Sequence, residues 1–179
     1  MIRLIGPGGA GKSTLGAVLA HRLALPFLDL DRQFSTQHGD IDQFIAARGY
    51  PAYARANVET YCVTVSAEPE GVLALSSGFM TYSPTIHPRY AEVRRDIEQS
   101  PTTFVLLPSL DLETCVVETV RRQLLRPFGR RGAAREEAVI RDRFGTYVAV
   151  PAPKIETMRP PAEVAADIVA RLPSNVAVL

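Results

Sequence analysis

The sequence predicts an α/β fold, a five-stranded parallel sheet flanked by helices, and three observations predict it. Short apolar runs alternate with helical patterns along the chain, the arrangement of βαβ units around one sheet. The two central runs, 72–75 and 104–107, are apolar without a period of two, as strands covered on both faces must be. Residues 6–14 read Gly-Pro-Gly-Gly-Ala-Gly-Lys-Ser-Thr, a complete G-x-x-x-x-G-K-[ST] phosphate-binding loop between the first apolar run and the first helical pattern.

In chain order, the apolar run 2–5 is the first strand, and Leu15, Val18 and Leu19 set the period of a helix near 12–24. A second strand follows at 26–28. Helical patterns near 51–67, 87–99, 111–124, 135–148 and 161–172 frame the strands 72–75, 103–107 and 154–156. Pro151-Ala152-Pro153 and Arg159-Pro160-Pro161 are stiff connectors, since too little chain follows either to fold alone. With 179 residues, 46% of them hydrophobic, the chain is expected to form one domain over 1–179.

Composition excludes several classes of function. No run of about 18 apolar residues is present, so no membrane helix is expected. The N-terminus enters a strand without a basic segment or cleavage site, and a cytoplasmic protein without a signal peptide is the expectation. Cys62 and Cys115 lie far apart in apolar helical stretches and read as buried free thiols. Twenty basic against nineteen acidic residues leave no global field for nucleic acid. His21, His38 and His87 lack metal-ligand spacing and read as surface or capping residues.

In the phosphate-binding loop, Gly6, Gly8, Gly9 and Gly11, with Ala10 between them, let backbone N–H groups converge on phosphate oxygens. Lys12 reaches the β- and γ-phosphates, the Ser13 hydroxyl is placed to ligate Mg²⁺, and Thr14 continues the helix start. The chain is therefore expected to bind ATP as co-substrate with Mg²⁺ as cofactor. Ligands of open α/β sheets sit outside the carboxyl ends of the strands, which singles out residues 29–31, 76–78 and 108–111. A strand that alternates puts Asp29 and Asp31 on one side of the chain, one carboxylate for metal and nucleophile, the other for the acceptor. The competing reading makes Asp31 a helix cap before Arg32-Gln33-Phe34. Neither the third nor the fourth strand ends in an acidic residue, and Asp111 reads as a cap, so a small-molecule kinase is favoured over a mechanical ATPase.

The order of motifs resembles the shikimate kinase family, small P-loop kinases that phosphorylate one hydroxyl of a cyclic polyol acid. Gly6–Ser13 matches its GxxGxGK[ST] loop, and Asp29 and Asp31 its D-x-D; Gly39 and Gly49 follow as family-like glycines. Arg126-Pro127-Phe128 resembles its RPLL lid, Arg143 and Tyr147 its R-x-x-x-Y, and residues 155–157 its V-x-T. The resemblance implies a P-loop NTPase fold of the nucleoside-monophosphate-kinase-like type with a lid segment at about 121–134. It also implies that Asp29 organises Mg²⁺, that Asp31 and Arg143 bind the acceptor, and that Arg126 closes over the phosphates.

Three positions depart from the family. Ser76-Ser77-Gly78 stands where the family has three glycines, which places Ser77 and Gly78 at the acceptor. The F-R-x-x-E motif gives Tyr53 and Ala54, with Arg55 one place late; Arg55 either serves the acceptor through a shifted helix or forms a solvated i, i+4 pair with Glu59. Phe128-Gly129 replaces two leucines in the lid. Around it, Arg121, Arg122, Arg126, Arg130, Arg131 and Arg135 read as a closing lid, with a nucleic-acid patch or a solvated face as the alternatives. The expected protein is a monomeric kinase that transfers the γ-phosphoryl of ATP to a small hydroxylated, anionic acceptor, shikimate first. Its rivals are a divergent kinase for a sugar acid, nucleotide or antibiotic, and a non-catalytic nucleotide-binding module.

Overall fold

The computed structural model describes residues 1–125 and 132–174. Its five strands, β1 (Ile2–Ile5), β2 (Phe27–Asp29), β3 (Val72–Ala74), β4 (Thr103–Leu107) and β5 (Lys154–Glu156), form one parallel sheet in the order β2-β3-β1-β4-β5. Strand β1 pairs in register with β3 (Leu4 with Ala74) on one side and β4 (Leu4 with Phe104) on the other. The chain crosses over β1 between β3 and β4, so the carboxyl end of β1 is a switch point where a ligand crevice opens.

Eight helices cover the sheet among the described residues: α1 (Lys12–Leu23), α2 (Leu30–His38), α3 (Ile41–Arg48), α4 (Tyr50–Ala67), α5 (Tyr90–Gln99), α6 (Leu112–Leu124), α7 (Ala133–Ala149) and α8 (Pro161–Arg171). A short 3₁₀ turn, Phe79–Thr81, follows β3. Alternation along each strand sorts its side chains into two cores. Ile2, Leu4, Phe104 and Leu106 pack with Leu15, Leu19 and Ile168 under α1 and α8. Ile5, Leu73, Val105 and Leu107 pack on the other face with Phe34, Val58, Tyr61, Ile97 and Tyr147. The central strands are buried on both faces, which is why β3 and β4 carry no polar period.

Two helices were not anticipated. Helix α2 has apolar residues only at Leu30 and Phe34, one turn apart, on an otherwise polar sequence. Helix α3 is capped by Asp40, whose side chain accepts from Gln43 N at 2.9 Å, a pattern readable as D-x-x-Q. Both are stabilised by tertiary packing: Phe34 meets Phe44 edge-on with ring centroids 5.2 Å apart, and Tyr53 of α4 at 4.9 Å. Strand β2 extends one residue further than expected, to Asp29, and β3 stops one residue earlier, at Ala74.

Cys62 is half-buried and Cys115 buried, and both are free. No helix among the described residues is long and apolar enough to cross a membrane.

Candidate active site

The phosphate loop leaves β1 at Gly6, where φ is 146° and a Cβ would stand 2.2 Å from the Leu106 carbonyl oxygen. Only glycine fits there. The loop ends at Gly11, the first residue before α1, so the helix presents its unpaired N–H groups to the loop. Lys12 is 9% exposed, and its ammonium donates to the carbonyls of Gly6 at 2.7 Å and Pro7 at 2.8 Å. These bonds fold the lysine over the loop, within reach of any phosphate the loop holds, and a phosphate oxygen is the stronger, charged acceptor.

Asp29, the last residue of β2, works with both carboxylate oxygens. Oδ2 accepts from the Ser13 hydroxyl at 2.6 Å, while Oδ1 accepts from the backbone N–H of Asp31 at 3.1 Å and Arg32 at 3.4 Å. The cap of α2 is therefore Asp29, and the alternative that made Asp31 the cap is corrected. Asp31 lies in the first turn of α2, not on an alternating strand, so the helix start and not the pleat brings the two carboxylates together. The Asp31 carboxylate accepts from the Ser76 hydroxyl at 2.5 Å. Both aspartates line a small cavity of about 70 Å³ with Lys12 and Ser13. Ser13 and Asp29 are hard oxygen ligands beside the phosphate loop, a donor set that suits Mg²⁺, which keeps water and phosphate as its other ligands.

Next to it opens a cavity of about 280 Å³ lined by Asp31, Tyr50, Tyr53, Ser77, Gly78 and Arg143, with Asp40, Asp42 and Glu136 on its walls. Among the described residues lining it, Arg143 is the only cation. Its Nη2 donates to the Tyr50 hydroxyl at 3.2 Å. A Cβ at Gly78 would lie 2.4 Å from that hydroxyl and 3.2 Å from Nη2, so the bare backbone of Gly78 forms the floor. Tyr147, buried beneath, donates to the Ser77 carbonyl at 2.8 Å. Burial pushes its phenol well above the ordinary range, so it remains a donor at neutral pH.

Arg55 is not brought to this cavity. It stands exposed on α4 with Nε 4.0 Å from Glu59 Oε1, while the preceding Ala54 faces the core at 1% exposure. The substrate-binding reading of Arg55 is corrected on that geometry, because one helical residue is a rotation of about 100°. The same face holds Asn57, fully buried, whose amide donates to the Tyr82 hydroxyl at 2.8 Å.

Arg126, with Arg130, Arg131, Pro127, Phe128 and Gly129, lies outside the described residues. Of the cluster within them, Arg122 lies on the phosphate loop: Nη1 donates to the Gly9 carbonyl at 3.3 Å and Thr157 Oγ1 at 3.1 Å, and Nη2 to the Thr157 carbonyl at 2.9 Å. Thr157 in turn donates to the Ala10 carbonyl at 2.9 Å. Glu118 anchors Arg122 at 2.6 Å and Arg121 at 2.7 Å, and the two guanidiniums, Arg121 foremost, hold its carboxyl down to about 2. Arg135 is exposed. A third cavity of about 260 Å³, lined by Gly11, Thr14, Arg122, Thr157, Arg159 and Pro161, adjoins the loop on the other side.

Sequence reading missed Tyr50, Glu136 and Gln123. Thr119, Arg122 and Gln123 are spaced i, i+3 and i+4 on α6, one helical face, and that face meets the glycines of the loop. The spacing was visible in the sequence, but what it faces was not.

A profile of the shikimate kinase family matches residues 8–173. The shikimate kinase of Pseudomonas syringae pv. syringae is 33% identical over 174 residues, covering 94% of each chain. That of Chlorobium luteolum is 36% identical over 86 residues, 48% of this chain and 42% of the relative. The solved shikimate kinase of Acinetobacter baumannii in complex with shikimate is similar in fold, with a TM-score of 0.70 at 24% identity over 94% of this chain and 89% of that one.

Proposed function

This chain belongs to the shikimate kinase family, phosphotransferases to an alcohol group, and on that premise we propose how it transfers the γ-phosphoryl of ATP to a hydroxyl of shikimate. The observation that carries the proposal is the adjacency of two sites. The phosphate loop with Lys12, Ser13 and Asp29 opens directly into the cavity of Asp31, Gly78 and Arg143, and Asp31 and Ser77 line both.

In this reading the triphosphate lies along the loop with its base end between Arg122 and Pro161. Ser13 and Asp29 would hold Mg²⁺, which when bound would neutralise charge on the phosphates. Arg143 and the Gly78 backbone place the acceptor, and Arg126 closes the site. The acceptor oxygen bonds to the γ-phosphorus as the bond to the bridging oxygen breaks; that electron pair leaves on ADP, and the hydroxyl proton passes to the Asp31 carboxylate. Positioning and charge supply the rate, with no covalent intermediate. The free thiols support a reducing, cytoplasmic compartment.

A second reading, transfer to another hydroxylated molecule, is favoured by Ala54 and Arg55, which leave Arg143 as the cation in a cavity with four carboxylates among its described residues. ADP release from Mg·ATP, with and without shikimate and with Lys12→Ala as the blank, separates the two. Stimulation by shikimate is expected; intact ATP binding without stimulation moves the acceptor to another hydroxylated metabolite, and turnover by Lys12→Ala overturns the mechanism.

A further inference from the structure

Three residues line both the phosphate cavity and the acceptor cavity: Asp31, Ser77 and Gln123. The first two already have roles. Gln123 sits near the end of α6, and its side chain lies against the phosphate loop: a Cβ at Gly8 would be 2.4 Å from Nε2, and one at Gly9 would be 3.4 Å from Cγ. Nε2 donates to Glu136 Oε2 at 3.2 Å. Glu136 is 7% exposed, an uncommon degree of burial for a carboxylate, and it comes from the neighbouring helix α7.

The pairing decides which way the carboxamide faces. An ionised carboxylate only accepts, so it selects the nitrogen end of the amide. The other end, Oε1, is buried and has no hydrogen-bond partner among the described residues. A buried amide left half-satisfied is a cost to the fold, and a side chain kept at such a cost is explained by a functional role. Glu136 takes one of the two N–H donors of Nε2; the second remains for a group held by the loop. An amide donor next to Gly8, where the phosphate chain ends against the acceptor, meets the oxygens of the phosphoryl group in transit.

We propose that Gln123 is a further catalytic residue, whose carboxamide, oriented by Glu136, donates its second N–H to the γ-phosphoryl oxygens during transfer. The inference rests on the phosphotransfer reading. It adds no chemical step: the bonds made and broken are those above, and the amide stabilises charge while the proton still passes to Asp31. One preorganised donor at developing charge is worth about a hundredfold or more in rate.

The test uses Gln123→Leu, close in shape and without hydrogen bonds, and Glu136→Gln, which keeps the shape but no longer selects one end of the amide. ADP formation under saturating Mg·ATP and shikimate, and ADP affinity by titration calorimetry, are measured for each. Gln123→Leu is expected to lose about a hundredfold in kcat and Glu136→Gln about tenfold, with ADP affinity unchanged, because ADP has no γ-phosphate. Should shikimate fail to stimulate the wild type, the acceptor reading fails alone, and the comparison is made on ATP hydrolysis by water, which transfers the same phosphoryl group. Rates within twofold of wild type in Gln123→Leu overturn the proposal. A parallel loss of ADP affinity also overturns it, since it would mean that Gln123 only supports the shape of the loop.

Discussion

The phosphate loop and the acceptor cavity meet at Asp31, yet they are built in different ways. The loop is one contiguous stretch, Gly6 to Thr14, closed by bonds to its own backbone such as those from Lys12 to Gly6 and Pro7. The cavity is assembled from α2, α3, α4, α6, α7 and the turn after β3, and its polar contacts span long separations: Ser76 to Asp31 across 45 residues, Arg143 to Tyr50 across 93. A site held by local geometry is specified by its own residue types. A site held by packing is specified by how whole helices approach one another, as Tyr50 and Arg143 do.

The strongest attack on this contrast is Lys12→Ala. It is expected to abolish turnover, by about a thousandfold or more, while circular dichroism and thermal midpoint stay near wild type; a variant that unfolds would show the lysine to be structural. Asp29→Asn comes next, with kcat expected to fall about a hundredfold at saturating Mg²⁺. Asparagine keeps the cap of α2, so stability should change by less than about 1 kcal/mol in urea melts, and an equal loss of stability would put the cap before the metal.

On the acceptor side, Arg143→Met is expected to raise the acceptor KM about tenfold with ATP affinity unchanged. An unchanged KM would place the acceptor elsewhere. Glu118→Gln sharpens the loop side by pH. Because the Glu118 carboxyl is depressed from 4.5 to about 2, its contribution is present above 4.5 and is lost as pH falls toward 2. The urea midpoints of wild type and variant should therefore differ at neutral pH and converge across that window; a constant difference would assign the effect to packing. The smallest expected effect is that of Arg55→Ala, within twofold in KM and a few tenths of a kcal/mol in stability, since its partner Glu59 is 4.0 Å away in solvent. A tenfold rise in KM there would erase the contrast by bringing Arg55 into the cavity.

How far each region was legible follows from range. The five strands, six of the helices and the loop were read from runs and spacing, three strands with exact bounds and the other elements within three residues. Helices α2 and α3 were not, because each has few apolar residues and depends on Phe34, Phe44 and Tyr53 packing together. Asp29 was picked out for its position after a strand, but that it both accepts from Ser13 and caps α2 appears only when α2 exists.

By itself, then, the sequence determined the sheet, the phosphate chemistry and the family, because a strand's apolar run and a loop's glycines act within a few residues of one another. Only the tertiary structure decided which side chains line the cavity beside the phosphate loop. It turned Arg55 to solvent, set Arg143 against Tyr50 and Gly78, and laid Gln123 between the two cavities. Those outcomes depend on the rotation and approach of whole helices, a property of the packed core and not of any local run of residues.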